Sequence, residues 1–137
     1  MSGANLQRAI YAKLTGDAGV MSIAVGVFSD PEQAEDSGSN DPFPYVTIGG
    51  DDLDAWDTKT TIGTEATCQV DVWSRKNSSL QAKDLQSAIK SALHYQPLTI
   101  TDAQHVMTMQ TTSGVTDDPD GETKHGIQLF SVRYVET

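Results

Sequence analysis

Apolar residues four apart open the chain. Leu6, Ile10 and Leu14 share one face, with Ala9 and Ala12 beside them and polar residues between, which predicts a short helix. Asn5 suits its N-cap and Gly16 its stop. Residues 19–26 read two ways: Val20, Met21 and Ile23 can extend the helical region, and Val25 to Phe28 reads as a short strand. The pattern then lapses over residues 30–42, where Pro31, Gly38, Pro42 and several acidic side chains predict a solvated, mobile loop. Tyr45-Val46-Thr47-Ile48 predicts a strand halted by Gly49-Gly50, and residues 51–57 a second acidic loop around Leu53 and Trp56.

Alternation with a period of two is strongest over residues 64–74. Ala66, Cys68, Val70 and Val72 fall on one face, and Thr67, Gln69, Asp71 and Trp73 on the other, as in a strand with one buried face. Ser78 or Ser79 can cap the helix that follows, whose stripe is Ala82, Leu85, Ile89, Ala92 and Leu93, and Pro97 forbids its continuation. Short strands are predicted at residues 98–100 and 106–111, and a longer one at 127–135. Thr116-Asp117-Asp118-Pro119-Asp120-Gly121 supplies the turn of a long hairpin. Grouped rather than alternating strands indicate an α+β fold. The expectation is an antiparallel or mixed sheet with two main helices packed on one face and a long β-hairpin extension, in a single domain over residues 1–137.

Charge narrows the function. Nine Lys and Arg against nineteen Asp and Glu give a formal net charge of -10 in 137 residues. Such a balance argues against gripping duplex DNA or docking on anionic lipid. The one cysteine, Cys68, has no partner for an internal disulfide, and its place in the alternation makes it a small core residue. No secretory signal and no membrane span are readable.

Candidate chemistry is sparse. Gly121 at the glycine position of an EF-hand loop puts Thr116 first and Ile127 last, where ligands are needed, so a hairpin turn is the better reading. Asp51, Asp52, Asp54 and Asp57 have no His or second acidic cluster at a metal-binding spacing. His94, His105 and His125 form no helical zinc pair; His94, at a helix end, suits a partly positive imidazole favoured by the helix dipole. No phosphate loop, nucleophile elbow or catalytic set is present in the sequence, and neither cofactor nor metal is expected.

The ordered set of elements is more informative. A leading amphipathic helix is followed by Val25-Gly26-Val27-Phe28-Ser29-Asp30, a polar loop and Phe43-Pro44-Tyr45-Val46-Thr47-Ile48-Gly49. Then come Val70-Asp71-Val72-Trp73-Ser74, a helix, and Asp118-Pro119-Asp120-Gly121 before a closing strand. This order resembles the tail-completion proteins of long-tailed bacteriophages and prophages, also called tail terminators or tail-to-head joining proteins, over nearly the whole chain. The resemblance implies a non-enzymatic subunit, assembled in the bacterial host cytoplasm and resident in the virion tail. It implies a cyclic homo-oligomer, typically a hexamer, at the head-proximal end of the tail tube. Such a ring stops tail polymerisation, meets the major tail tube protein and the head-completion or connector protein, and lets DNA pass only in transit. An acidic lumen suits that passage.

Eight residues are candidates for subunit or partner contacts. Leu53 and Trp56 are the apolar members of the second acidic loop, expected to order on assembly. Asp118, Asp120 and Gly121 lie at the hairpin tip, which can reach a neighbour. Phe130, Val132 and Tyr134 form one apolar face of the last strand, opposite Ile127, Leu129 and Val135, and two apolar faces need two partners. A tube subunit, a head-closure protein and a small acidic metal-binding domain stand as alternatives.

Overall fold

The alternation read over residues 64–74 becomes the middle strand of a five-stranded sheet. The computed structural model describes residues 3–29, 42–76 and 78–137. Its elements are α1 (Gly3–Thr15), α2 (Ala18–Met21), β1 (Gly26–Phe28), β2 (Tyr45–Ala55), β3 (Gly63–Ser74), α3 (Leu80–Leu93), β4 (Ala103–Asp117) and β5 (Lys124–Glu136). The strand order is β1-β2-β3-β5-β4; β1 runs parallel to β2 and every other pairing is antiparallel. This is the expected α+β architecture with a mixed sheet.

Burial follows the period of the sequence. Ala66, Cys68, Val70 and Val72 turn to the helices and are at most 3% exposed, as do Phe130, Val132 and Tyr134 on β5. Leu6, Ile10 and Leu14 of α1 and Leu85, Ile89 and Leu93 of α3 complete the same core. Asp17 caps α2, its Oδ1 accepting the Val20 amide at 3.0 Å. Ser79 occupies the N-cap of α3 without a side-chain bond; Ser78 Oγ accepts the Leu80 amide at 3.4 Å.

Four expectations are corrected. Residues 51–55 are not loop: β2 runs on through Asp51, Asp52, Leu53 and Asp54 to Ala55, paired with Thr64–Cys68 of β3. Gly49-Gly50 is a bulge, not a stop, and Gly50 takes φ +53°, a conformation glycine adopts without steric cost. Residues 98–100 form no strand, although Leu98 and Ile100 are buried in the core. Asn5 lies inside the first turn of α1, not before it; its Oδ1 accepts from Arg8 and its Nδ2 donates to the Thr101 carbonyl. His94 closes α3 as expected, and its Nδ1 accepts the Gln110 amide at 3.0 Å. The first acidic loop, residues 30–41, lies outside the described residues.

The hairpin tip is held by one carboxylate. Asp120 accepts the Thr123 hydroxyl at 2.6 Å and the Thr123 and Glu122 amides at 2.8 and 2.9 Å. The Thr123 bonds, with the Glu122 amide and the more distant Arg75, lower its pKa from 3.8 to about 2.

Three outcomes follow for the isolated chain. Ile89→Ala, which empties a fully buried site, is expected to cost ~2–5 kcal/mol in urea unfolding. Burial, helped by the Asp51 carboxylate, raises the Cys68 pKa from 9.0 to about 12. Its contribution to stability is therefore complete below pH 9 and is lost as pH rises toward 12. A thiol reagent at pH 8 should label Cys68 only after unfolding; rapid labelling of the native chain would contradict the burial. Asp120 has the opposite sign: its contribution is complete above pH 3.8 and is lost as pH falls through 2. A carboxyl NMR titration should give its midpoint near 2, and a midpoint at 3.8 or above would refute the clasp.

Candidate assembly surface

Among the described residues, one face of the sheet carries no helix. There the side chains of neighbouring strands pair laterally. Trp73 stacks on His125 with centroids 3.9 Å apart and lies 6.2 Å from Tyr45, which in turn meets Phe43 and Phe28. The Arg75 guanidinium sits 4.2 Å from the Phe43 ring centre. Trp73 Nε1 donates to Thr47 Oγ1 at 3.0 Å, Gln69 Nε2 donates to Asp71 Oδ1 at 2.9 Å, and His125 Nε2 meets the same oxygen at 3.0 Å. At the other end Arg133 donates to Glu65 at 2.7 Å and lies over Trp56. Stacked rings, hydrogen bonds and the Arg133–Glu65 ion pair link the strands across this face.

The sheet edges differ. β1 covers β2 only at Tyr45, Val46 and Thr47. Beyond them, among the described residues, nothing pairs with the outer edge of residues 51–55, and these residues are exposed. At the opposite side β4 is covered over part of its length. The Tyr95 amide donates to the Thr108 carbonyl at 2.7 Å, and His94 takes the Gln110 amide. Past the bulge between Gln110 and Thr112, no described strand lies beyond β4; Gln86 Nε2 reaches the Gly114 carbonyl at 2.9 Å from the helix side of the sheet.

Glutamines lock α3 to that edge. Gln128 is fully buried and donates through Nε2 to the Gln86 carbonyl at 2.9 Å and to Gln110 Oε1 at 2.8 Å. Gly126 permits the approach, because a Cβ there would stand 2.6 Å from Gln86 Nε2. Beside the network a groove of about 350 Å³ opens between α3 and β4. Lys83, Ser87 and Lys90 line it from the helix, and Gln110, Ser113 and Gly114 from the strand.

The candidate contact residues separate into three groups. Leu53 stands 47% exposed on the free edge of β2, and Trp56 lies half-buried beneath Arg133. Asp118, Asp120 and Gly121 are at the tip, with Asp118 half-buried and the other two exposed. Phe130, Val132 and Tyr134 are only 1, 0 and 2% exposed. The second apolar face of β5 is therefore covered by the chain's own helices; β5 lies inside the sheet, between β3 and β4. The helix–strand groove was not foreseen, although the seven-residue spacing of Lys83 and Lys90 already places both on one helix face. The carboxylates of residues 51–57 do not converge. Asp51 turns to the helix side, Asp52 and Asp54 to the other, and Asp57 accepts the Gly63 amide at 2.9 Å. Among the described residues no group of three His, Cys, Asp or Glu side chains could hold a metal ion.

The comparisons with known proteins agree on one kind of molecule. The family model described as "Tail completion protein gp17" matches residues 8–135. Tail completion protein gp17 of Bacillus phage SPP1 is 36% identical over 93 residues, 68% of this chain and 69% of that protein. The solved structure of bacteriophage SPP1 gp17 superposes with a TM-score of 0.61 at 30% identity, over 98% of this chain and 91% of that one. A chain from the virion of a native gene transfer agent particle gives a TM-score of 0.81 at 22% identity, over 96% and 95% of the two chains, and so shares the fold. The chain belongs to the tail completion protein family, structural proteins of the bacteriophage virion tail.

Proposed function

We propose that the chain acts as a single domain that closes into a ring, six copies in the simplest case, at the head-proximal end of the tail tube. The ring stops addition of further tube subunits and presents a different surface to the head connector. DNA crosses its lumen in transit. No catalysis and no cofactor belong to this role. The observation that carries the reading is the family match across residues 8–135. Two physical features support it. Among the described residues, the sheet has stretches of outer strand without a strand neighbour on opposite sides, which suits repeated pairing with like copies. The net charge of -10 keeps free subunits apart and disfavours adhesion to phosphate.

The net charge also sets the conditions for assembly. Repulsion between whole subunits opposes closure at low salt and is screened beyond about 8–10 Å near physiological strength. Sedimentation velocity should therefore show monomer giving way to one discrete oligomer as salt and protein concentration rise. Added to polymerising tail tube protein, the chain should bind one tube end and arrest growth. A monomer at every salt and concentration that also ignores tube ends would sink the terminator reading. Binding along tube walls, or growth into tubes by the chain alone, would favour a tube subunit.

A further inference from the structure

We infer that neighbouring copies join edge to edge: residues 51–55 of β2 on one copy enter the groove between α3 and residues 111–117 of β4 on the next. This inference rests on the ring reading and names the surfaces that build the ring.

Backbone chemistry makes the first case. Among the described residues, both stretches are strand edges without a strand neighbour. Buried edges must be paired, and an exposed edge is a template for another strand. β2 is antiparallel to β3, β3 to β5 and β5 to β4, so β2 and β4 run in opposite directions. A rotation that carries the sheet forward sets them side by side as an antiparallel pair.

Charge makes the second. Residues 51–55 carry Asp51, Asp52 and Asp54 around Leu53. The groove is lined by Lys83 and Lys90 and by no acidic side chain. These are two of only nine Lys and Arg in the chain. A strand joined here turns Asp51 and Leu53 toward α3. Leu53 then meets Val115, and Asp51 comes within reach of two lysine stems rooted about 10 Å apart along the helix. Asp52 and Asp54 stay on the open face. Contact pairs of this kind are screened less by salt than repulsion between whole subunits, so salt can promote closure without dissolving the joint.

The two surfaces are different, so the contact is heterologous. It repeats head to tail and closes into a ring when the rotation permits. Residues 51–55 stand level, through the ladder, with residues 105–110 of β4 and not with 111–117. The joint therefore carries a stagger, which tilts the strands against the ring axis as in a closed barrel.

Charge exchange tests the pairing. Asp51→Lys/Asp52→Lys alters the edge, and Lys83→Glu/Lys90→Glu alters the groove; all four side chains are exposed. Each variant alone should remain monomeric under conditions where the unaltered chain assembles. Mixed one to one they should recover the oligomer, alternating around it. Thermal melts within a few degrees of the unaltered chain establish that each variant is folded. Independently, a chain with Leu53→Cys and Ser113→Cys should oxidise into a ladder of covalent oligomers. β2 and β4 are three strand spacings apart, about 14 Å, too far for a bridge within one chain. If the unaltered chain assembles while both charge variants assemble equally well, or if no ladder forms, the edge-to-edge joint is wrong and the ring stands. An unaltered chain that never assembles overturns both.

Discussion

Backbone hydrogen bonding at the two ends of the strand order constrains everything else in this molecule. A five-stranded sheet can bury one face under helices, but its outer strands still present rows of donors and acceptors. The chain meets that demand piecemeal. The segment after α3 turns back so that Tyr95 and His94 bond the middle of β4. On the inner face Gln86 reaches the Gly114 carbonyl over Gly126, and Gln128 holds Gln86 in place by its carbonyl, which ties α3 to the β4–β5 ladder. On the other side β1, three residues long, protects only the first part of β2. The covered stretches fix the fold, and the uncovered ones are its available contacts.

Much of this architecture is legible in the sequence, for a physical reason. The spacing of Leu6, Ile10 and Leu14 and the alternation through Cys68, Val70 and Val72 report one-sided burial, and the core realises both. Residues 51–55 escaped because they are buried on neither face. Aspartate is depleted from strands in general, and a Gly-Gly pair commonly ends one. Here Gly50 bends the strand without ending it, and pairing with β3 holds the remainder. Composition reports burial, and an exposed edge strand has little to report.

The same limit explains the candidate contacts. Phe130, Val132 and Tyr134 are apolar because α3 and the rest of the core cover them, and their register opposite Ala66 and Cys68 decides this. Sequence shows that β5 has two apolar faces; only the pairing order shows which one the helices take. Leu53 stands out because a lone leucine among aspartates has no local reason to be apolar, and it is 47% exposed. The groove of Lys83 and Lys90 needs both α3 and the outer half of β4, and these meet only in the folded chain.

In the proposed ring, charge placement bears on how DNA would pass. In a ring joined along strand edges, one side of the sheet turns to the axis and the other outward. The described helices occupy one side. On the other, Arg133 sits with Glu65, and Asp71 is bonded to His125. At the hairpin tip Lys124 pairs with Asp117 and Arg75 stands 4.0 Å from Asp120. A cation already held by a carboxylate must give up that partner to take a phosphate, so such a face offers little counterion release to a passing duplex. In the proposed joint, the acidic edge of residues 51–55 would meet the neighbouring copy. A ring built on these terms can be cohesive at its seams and slippery in its bore, with both properties set by where nine cations are placed among nineteen acids.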